Sequence, residues 1–152
     1  MTDTLNELPP LTQDFELGFT YTRSLGPVLS RFLTGLRDGQ VLAARTRAGT
    51  LLVPPPEFEP VSGASIKELE PVAAEGTVLS WCWVSQPSSS APLNKPFAWV
   101  LVRFEGCDGA MLHALAADAK EQVHTGMRVR VRWAPERVGN VKDIACFEVH
   151  KQ

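Results

Sequence analysis

The chain has 152 residues, of which 15 are basic and 17 acidic, for a formal net charge of −2. This length predicts one domain with a substantial core, and the charge argues against a nucleic-acid coat or a polybasic membrane tether. No apolar run approaches the roughly 20 residues that span a bilayer, and the N-terminus lacks the basic and apolar regions of a signal peptide. We therefore expect a cytoplasmic protein that makes no contact with membranes.

Residues 1–23 are predicted to be an N-terminal segment with an extended backbone. We expect it to become ordered only when it docks on another surface. Its aromatic residues Phe15, Phe19 and Tyr21 suggest the hypothesis that it wraps around a partner. A helix is predicted over residues 25–38, with Ser24 as its cap, an apolar stripe on one face and Gly39 as its stop. The stripe must be buried against the rest of this chain or against a partner subunit, and the sequence leaves both open.

After Gly39 the pattern indicates β-structure along nearly the whole chain. Strands are predicted at 40–46, 50–53, 76–84, 97–105, 110–116, 127–133 and 144–149. In MRVRVRW (127–133) the apolar residues alternate with arginines, which is typical of a strand with one face in a core and one in water or against an anion. The last five strands, with a short helix in AADAKEQVHTG between the third and fourth, follow the order of an OB-fold barrel. The serine- and proline-rich segment 86–96 is predicted to be the long loop between the first two barrel strands.

The stretch from Phe32 to Pro55 resembles the opening of the acyl-CoA-associated OB-fold proteins that begin with a rubredoxin-like zinc ribbon. That family shows an aromatic residue and a G-L-x-x-G motif on a helix, a strand, C-x-x-C-G, a short strand, paired prolines and a second C-x-x-C-G. The positions that match this order are Phe32, Gly35, Leu36, Gly39, Gly49, Pro54, Pro55 and Gly63. The resemblance covers roughly residues 25–150. It implies a mainly β fold with an N-terminal helix and a zinc-ribbon-like hairpin (24–70), followed by a five-stranded OB-fold barrel (71–152).

The four positions that hold zinc in the family are occupied here by Arg45, Ala48, Glu59 and Ser62. Structural zinc takes thiolate and imidazole ligands in a tetrahedron, which this set cannot supply. We therefore expect a ribbon without metal, and an ion pair between Arg45 and Glu59 is a weaker suggestion for what replaces it. The cysteines, Cys82, Cys107 and Cys146, lie far apart in sequence with no C-x-x-C motif, so reduced thiols in the core are favoured over nucleophiles.

The resemblance implies a function as an accessory subunit. Proteins of this family form complexes with thiolase-like enzymes, including sterol-carrier-type thiolases and the aldolases of steroid side-chain degradation, and help to form the acyl-CoA site. For this chain it implies a hetero-oligomer with such an enzyme, no metal, and an acyl-CoA substrate that both subunits share. The expected partner interface comprises Phe32, Leu36, Pro54, Pro55, Phe58, Phe97 and Trp99.

The remaining residues leave several alternatives open. Arg128, Arg130 and Arg132 are candidates for contacts with CoA phosphates, because the arginine fork matches phosphate oxygens, although a solvated strand face explains such a row as well. Trp81, Trp83, Trp99 and Trp133 are expected mostly in the core, with one of them as a possible interface anchor. No motif of a hydrolase, metalloprotease or nucleotide-binding loop is present, and His113 within AMLHALA is expected to be structural. We therefore expect no catalytic residues; the alternative function is an OB-fold protein that binds single-stranded nucleic acid.

Overall fold

The computed structural model describes residues 11–150. It begins with residues 11–26, which contain no helix or strand, so the first ten residues of the predicted extension lie outside the described part. Helix α1 spans Pro27–Arg37. The strands are β1 (Val41–Arg45), β2 (Leu51–Leu52), β3 (Leu69–Val72), β4 (Glu75–Val84), β5 (Phe97–Phe104), β6 (Met111–Ala116), β7 (Arg128–Trp133) and β8 (Ile144–Val149).

The predicted helix is confirmed, but its cap is not the one expected. Gly26 occupies the N-cap position with no side-chain cap of its own, and Pro27 opens the first turn. The carboxylate of Glu57, from the hairpin, instead accepts hydrogen bonds from the backbone N–H groups of Val28 and Leu29, both at 3.2 Å. These donors have no partner within a helix, so the hairpin supplies the cap. Gly39 has a φ of 75°, which explains why the helix ends at a glycine.

The strands form two sheets. Strand β1 lies between β2 and β3 in a three-stranded antiparallel sheet, and the other five strands form a closed barrel in the order β4-β5-β6-β8-β7. Pairing of β4 with β7 closes the barrel, and β6 pairs with β8 in parallel while the other neighbours run antiparallel. The mainly β fold with one helix and a five-stranded OB-fold barrel is as predicted. The insertion between β6 and β7 contains only a short 3₁₀ turn, Lys120–Gln122.

Strand β3 is absent from the sequence-based assignment. Its four residues, LEPV, include a glutamate and a proline and show no clear alternation, so they carry little strand signal. The segment becomes a strand because it pairs with β1 in the register Val41↔Val72 to Ala44↔Leu69. Strand formation here depends on a tertiary partner.

The apolar stripe of α1 packs on this chain itself. Phe32 and Leu36 belong to the same buried cluster as Val100, Phe104 and Phe147 of the barrel. Trp81, Trp83 and Trp133 are half-buried against this cluster, which agrees with the expectation that most of the tryptophan surface contributes to the core. Leu79, on the same strand as Trp81 and Trp83, is 37% exposed, because the β4–β5 register shifts between Val78 and Ser80.

A second, smaller cluster lies on the outer face of the barrel. Along β5, Ala98, Val100 and Val102 point into the main core, so the alternating residues Phe97 and Trp99 point outward. They pack with residues that include Ala114 and Cys146, and the loop 86–96 covers them with Ala91 and Leu93. The predicted long loop between the first two barrel strands therefore shields an apolar patch.

Candidate functional site

A carboxylate links the two loops of the hairpin that the sequence predicts to be ribbon-like. Glu59 accepts hydrogen bonds from the backbone N–H of Arg47, in the first loop, and from the Ser62 hydroxyl, in the second. The Ser62 hydrogen bond is the largest influence on the pKa of Glu59 and the Arg47 N–H the next; together they lower that pKa below its usual value. Glu59 thus links the two loops that a zinc ion links in the family.

The suggested ion pair between Arg45 and Glu59 is wrong. The Arg45 guanidinium pairs with both carboxylate oxygens of Glu70 on β3, at 2.8 Å and 2.5 Å, and also donates to the carbonyl of Gly49. Sequence reasoning missed this partner because β3 itself was missed, and only the β1–β3 pairing brings residues 45 and 70 together. The four family positions supply one carboxylate, one hydroxyl and a cation, which does not fit a zinc site. Across residues 11–150 the structure contains no cluster of three or more His, Cys, Asp or Glu side chains that could hold a metal ion.

Four residues of the expected partner interface lie in this chain's own interior. Phe32, Leu36 and Phe97 are at most 3% exposed, and Pro55 is buried as well. The prediction treated the helix stripe and the start of β5 as available surface, whereas the barrel and the loop 86–96 cover them. Of the remaining positions, Pro54 and Phe58 are exposed at the hairpin and Trp99 is half-buried.

The arginine row alternates as predicted, with all three side chains on the outer face of β7. Arg128 forms ion pairs with Glu105 at 2.6 Å and with Glu75 at 3.4 Å. Arg130 pairs with Glu148 on β8 at 2.7 Å. Among the ion pairs within residues 11–150, none involves Arg132, so Arg132 keeps its hydrogen-bond donors available at the end of the row.

Arg132 lines a cavity of about 730 Å³ beside the loop 86–96. Lys95 from that loop and Arg130 also line it, together with the acidic residues Asp118 and Glu148. Because Arg130 and Glu148 neutralise one another, Lys95 and Arg132 face the single carboxylate of Asp118. The cavity therefore carries a small excess of positive charge, and sequence reasoning had not associated Lys95 with it.

A second, more apolar groove of about 930 Å³ lies on the other side of the same loop. Leu93 lines both cavities, so the two are neighbours. The walls of the groove include Phe97, Trp99, Leu112 and His113, and Lys142 lies at its rim. The outer face of the barrel thus presents a basic cavity next to an apolar groove, separated by the loop 86–96.

The buried polar residues have structural partners. His113 is 8% exposed; its Nδ1 accepts from the backbone N–H of Ala114, so Nε2 carries the proton and faces the Val141 carbonyl at 3.4 Å. Burial lowers the pKa of His113 despite these hydrogen bonds, which favours the neutral ring. This is the structural role that the sequence suggested.

Asp143 is almost fully buried. Burial alone would raise its pKa, yet hydrogen bonds from the backbone of Val138, Asn140 and Gly139 lower it overall, assisted by the charge of Arg137. It also completes a capping box with Asn140. The N-x-x-D spacing at 140–143 was the available signal for this role.

Two of the three cysteines are buried and one is exposed. Cys107 and Cys146 are buried, as expected, and burial raises the pKa of both thiols, which makes them poor nucleophiles. Cys82 is exposed, so the expectation of a core position is wrong for it. Residue 82 points outward because its strand neighbours Trp81 and Trp83 point toward the core.

Comparison with known proteins shows similarity to one family model and to solved structures of the same fold. Residues 69–134 match the model of the family described as "ChsH2, C-terminal OB-fold domain". A structure named "Ltp2-ChsH2(DUF35) aldolase" aligns over 84% of this chain and 98% of its own, with a TM-score of 0.63 and 18% identity. A protein of unknown function of the DUF35 family from Sulfolobus solfataricus aligns over 82% of this chain and 87% of its own, with a TM-score of 0.63 and 17% identity.

The barrel is therefore an OB-fold, as predicted, and residues 69–134 are similar to the C-terminal OB-fold domain of ChsH2. At these identities the two solved structures establish the shared fold. Comparison with curated protein sequences gives no match. No helix within residues 11–150 is both long and apolar enough to cross a membrane.

Proposed function

We propose that this protein is a non-catalytic accessory subunit of a thiolase-like enzyme, either a sterol-carrier-type thiolase or an aldolase. In this proposal it forms a hetero-oligomer with that enzyme, helps to form its acyl-CoA site, and acts in the degradation of steroid or other lipid side chains. One observation carries the proposal: the ChsH2-type OB-fold domain occurs in a chain whose fold, over 84% of its length, is shared with a protein named as part of an aldolase.

The proposal assigns catalysis to the partner. Within residues 11–150, His113 and Asp143 are the buried polar or charged side chains. Both are engaged by backbone groups of this chain. Neither is poised beside a nucleophile, so the residues described here offer binding surface rather than an acid–base pair.

The contact with the partner is proposed at the hairpin and beside the loop 86–96. Phe58 is 59% exposed near the tip of the hairpin, and Pro54 is exposed on the same element. Trp99 lines the apolar groove. Large aromatic residues at the centre of an interface contribute a disproportionate share of binding energy, which makes Phe58 and Trp99 the anchors to test.

The contact with substrate is proposed at the basic cavity. CoA carries phosphates, and Arg132 with Lys95 presents unpaired donors there, whereas Arg128 is occupied by two glutamates. Of the three arginines suggested to contact CoA phosphates, the proposal therefore keeps Arg132. Arg130 lines the cavity but also forms an ion pair with Glu148. The neighbouring apolar groove, with a volume of about 930 Å³, is proposed to accept part of an acyl or pantetheine chain.

No feature of the described residues favours the nucleic-acid alternative. A single-strand-binding OB face combines exposed aromatic rings with free basic residues. Here two of the three arginines on the outer face of β7 are paired with glutamates, and the net charge is −2. The balance of charge supports a protein partner and a small anionic ligand.

Co-purification tests the proposal directly. The tagged chain is expressed in its native host, and proteins recovered in near-equal amount are identified by mass spectrometry. We expect a thiolase-fold enzyme; a chain that emerges alone and monomeric would refute the accessory role.

With the complex in hand, Arg132→Gln is expected to weaken CoA binding about tenfold, because one charge-assisted hydrogen bond is lost. Calorimetry measures this affinity. Arg128→Gln, on the same strand but outside the cavity, is the matched control and should leave CoA affinity unchanged.

A further inference from the structure

The segment that precedes α1 has the pattern of a strand without a sheet. From Leu11 to Tyr21, apolar residues occupy every second position except 13, and polar or small residues occupy the positions between them. The apolar side chains are mostly exposed: Phe15 is 86%, Leu17 68%, Phe19 76% and Tyr21 79% accessible. Alternation with a period of two gives a strand one apolar face, and here this face covers nothing within the described chain.

This chain offers no suitable edge for the segment to join. The barrel is closed by the pairing of β4 with β7, so it has no open edge. The three-stranded sheet ends on one side in β2, which has two residues, and on the other in β3, which has four and contains Pro71. Neither edge can pair with a strand of about ten residues, and a proline removes one donor from the longer of them.

The chemistry of the segment indicates what it would pair with. Residues 11–22 contain Asp14 and Glu16 and no lysine or arginine. An extended segment that adds to an exposed sheet edge gains affinity from its main-chain hydrogen bonds and specificity from pockets for alternate side chains. The complementary surface is a strand edge on another protein, flanked by apolar pockets on one face and by basic residues on the other.

We propose that residues 13–22 add as an edge strand to a sheet of the enzyme subunit, with Phe15, Leu17, Phe19 and Tyr21 buried against it and Asp14 and Glu16 facing its basic residues. The inference rests on the proposed function, because it takes the enzyme subunit of that complex as the partner. It explains why a chain with a closed barrel carries four large apolar side chains on a segment that none of its own elements covers.

The test uses the full chain and the enzyme subunit recovered by co-purification. The variant Phe15→Ser/Leu17→Ser/Phe19→Ser removes the apolar face, and Thr12→Gln/Thr20→Gln/Thr22→Gln changes the opposite face as the matched control. Both sets are exposed, so both variants should unfold at the wild-type denaturant concentration. We expect the serine variant to bind the enzyme subunit at least tenfold more weakly and the control within twofold, with slowed amide exchange over residues 14–21 in the wild-type complex.

Gly18 provides a second test of strand geometry. No atom lies within 4 Å of the position that its Cβ would occupy, so Gly18→Val is compatible with the fold of the free chain. Valine favours extended structure and loses less backbone entropy on docking, so this variant should bind a few-fold more tightly than the wild type.

The outcomes separate this inference from the function on which it rests. If the serine variant binds as well as the wild type, the docking segment is refuted while the complex stands. Weaker binding without protection of the backbone amides refutes strand addition in particular. If the wild-type chain binds no thiolase-like enzyme, both the proposed function and this inference fall.

Discussion

The barrel and the ribbon hairpin of this protein are held together by different means. The barrel encloses a continuous apolar core in which Val100, Phe104 and Phe147 are at most 1% exposed. The hairpin, residues 45–63, has a few buried apolar residues at its base and depends at its loops on polar contacts. Glu59 links its two loops, Arg45 ties it to β3, and Glu57 attaches it to the start of α1.

The difference shows how two loops can be held together by polar contacts without a continuous apolar core. In a zinc ribbon, one ion organises four ligands and folding follows binding. Here a carboxylate and an ion pair occupy the equivalent loops, while the base of the hairpin is buried against the rest of the protein. Because exposed polar contacts are individually weak, the hairpin is the part of the molecule expected to yield first to acid or mutation.

The largest expected effect comes from introducing a metal site into the hairpin. The variant Arg45→Cys/Ala48→Cys/Glu59→Cys/Ser62→Cys recreates two C-x-x-C-G loops and is expected to bind one zinc ion per chain, since four thiolates favour tetrahedral zinc. Apparent zinc-binding energies of about 10 kcal/mol are typical of such sites. Metal analysis and chelator competition measure the outcome. A three-cysteine variant that keeps Glu59 is the control, and a four-cysteine variant without zinc would mean that the loops do not have the ribbon geometry.

Truncating a large side chain in the barrel core should produce the next largest effect, a loss of stability. Phe147 is fully buried and packs near Phe104, with ring centroids 5.9 Å apart. Phe147→Ala is expected to lower the free energy of unfolding by about 3–5 kcal/mol, measured by urea denaturation. Val138→Ala, at an 80% exposed position, should change it by less than about 0.5 kcal/mol. A loss near 1 kcal/mol for the core variant would show that the barrel tolerates the cavity.

Replacing Asp143 should lower the free energy of unfolding by an intermediate amount and change how that free energy depends on pH. Asp143→Ala leaves three backbone donors without their acceptor and should cost about 1–3 kcal/mol. Because folding lowers the pKa of Asp143, its charged form stabilises the protein above the unfolded-state pKa, about 3.9. That stability is lost as the pH falls from there through the lower folded-state value. Urea denaturation of wild type and Asp143→Asn from pH 7 to pH 2 measures this, and parallel pH profiles would contradict it.

The smallest effect is predicted at the hairpin. Glu59→Gln keeps the shape of the side chain but removes the charge that accepts from Arg47 and Ser62, so the two loops should separate more often while the barrel remains folded. Amide exchange at Arg47 should accelerate, and exchange at Val100 should not. In the wild type, the protection of the Arg47 amide relative to an unfolded chain should likewise decrease as the pH falls below the ordinary glutamate range, since folding lowers the pKa of Glu59. Equal exchange at Arg47 in both proteins would remove Glu59 as the link between the loops.

The periodicity of the sequence was sufficient for most of the fold. Strands with clean alternation, such as β7, and the amphipathic helix α1 were assigned within two residues, because their apolar residues repeat at the spacing of the element. The order of the strands indicated the OB-fold, while the ribbon suggested by the ordered glycines and prolines stays a prediction. For the candidate site, the sequence indicated the arginine row and showed that zinc ligands are lacking.

What tertiary structure decided was the partner of each polar side chain and the burial of each apolar one. Arg45 meets Glu70 only because β1 pairs with β3, and Arg132 differs from Arg128 only because Glu75 and Glu105 lie beside the latter. Residues this far apart in sequence become neighbours through register and barrel closure, which local pattern does not encode. For the same reason, the sequence alone does not distinguish Phe32 and Phe97 from residues of a partner interface. Only the packing of α1 and of the loop 86–96 buries these two side chains in the interior of the protein.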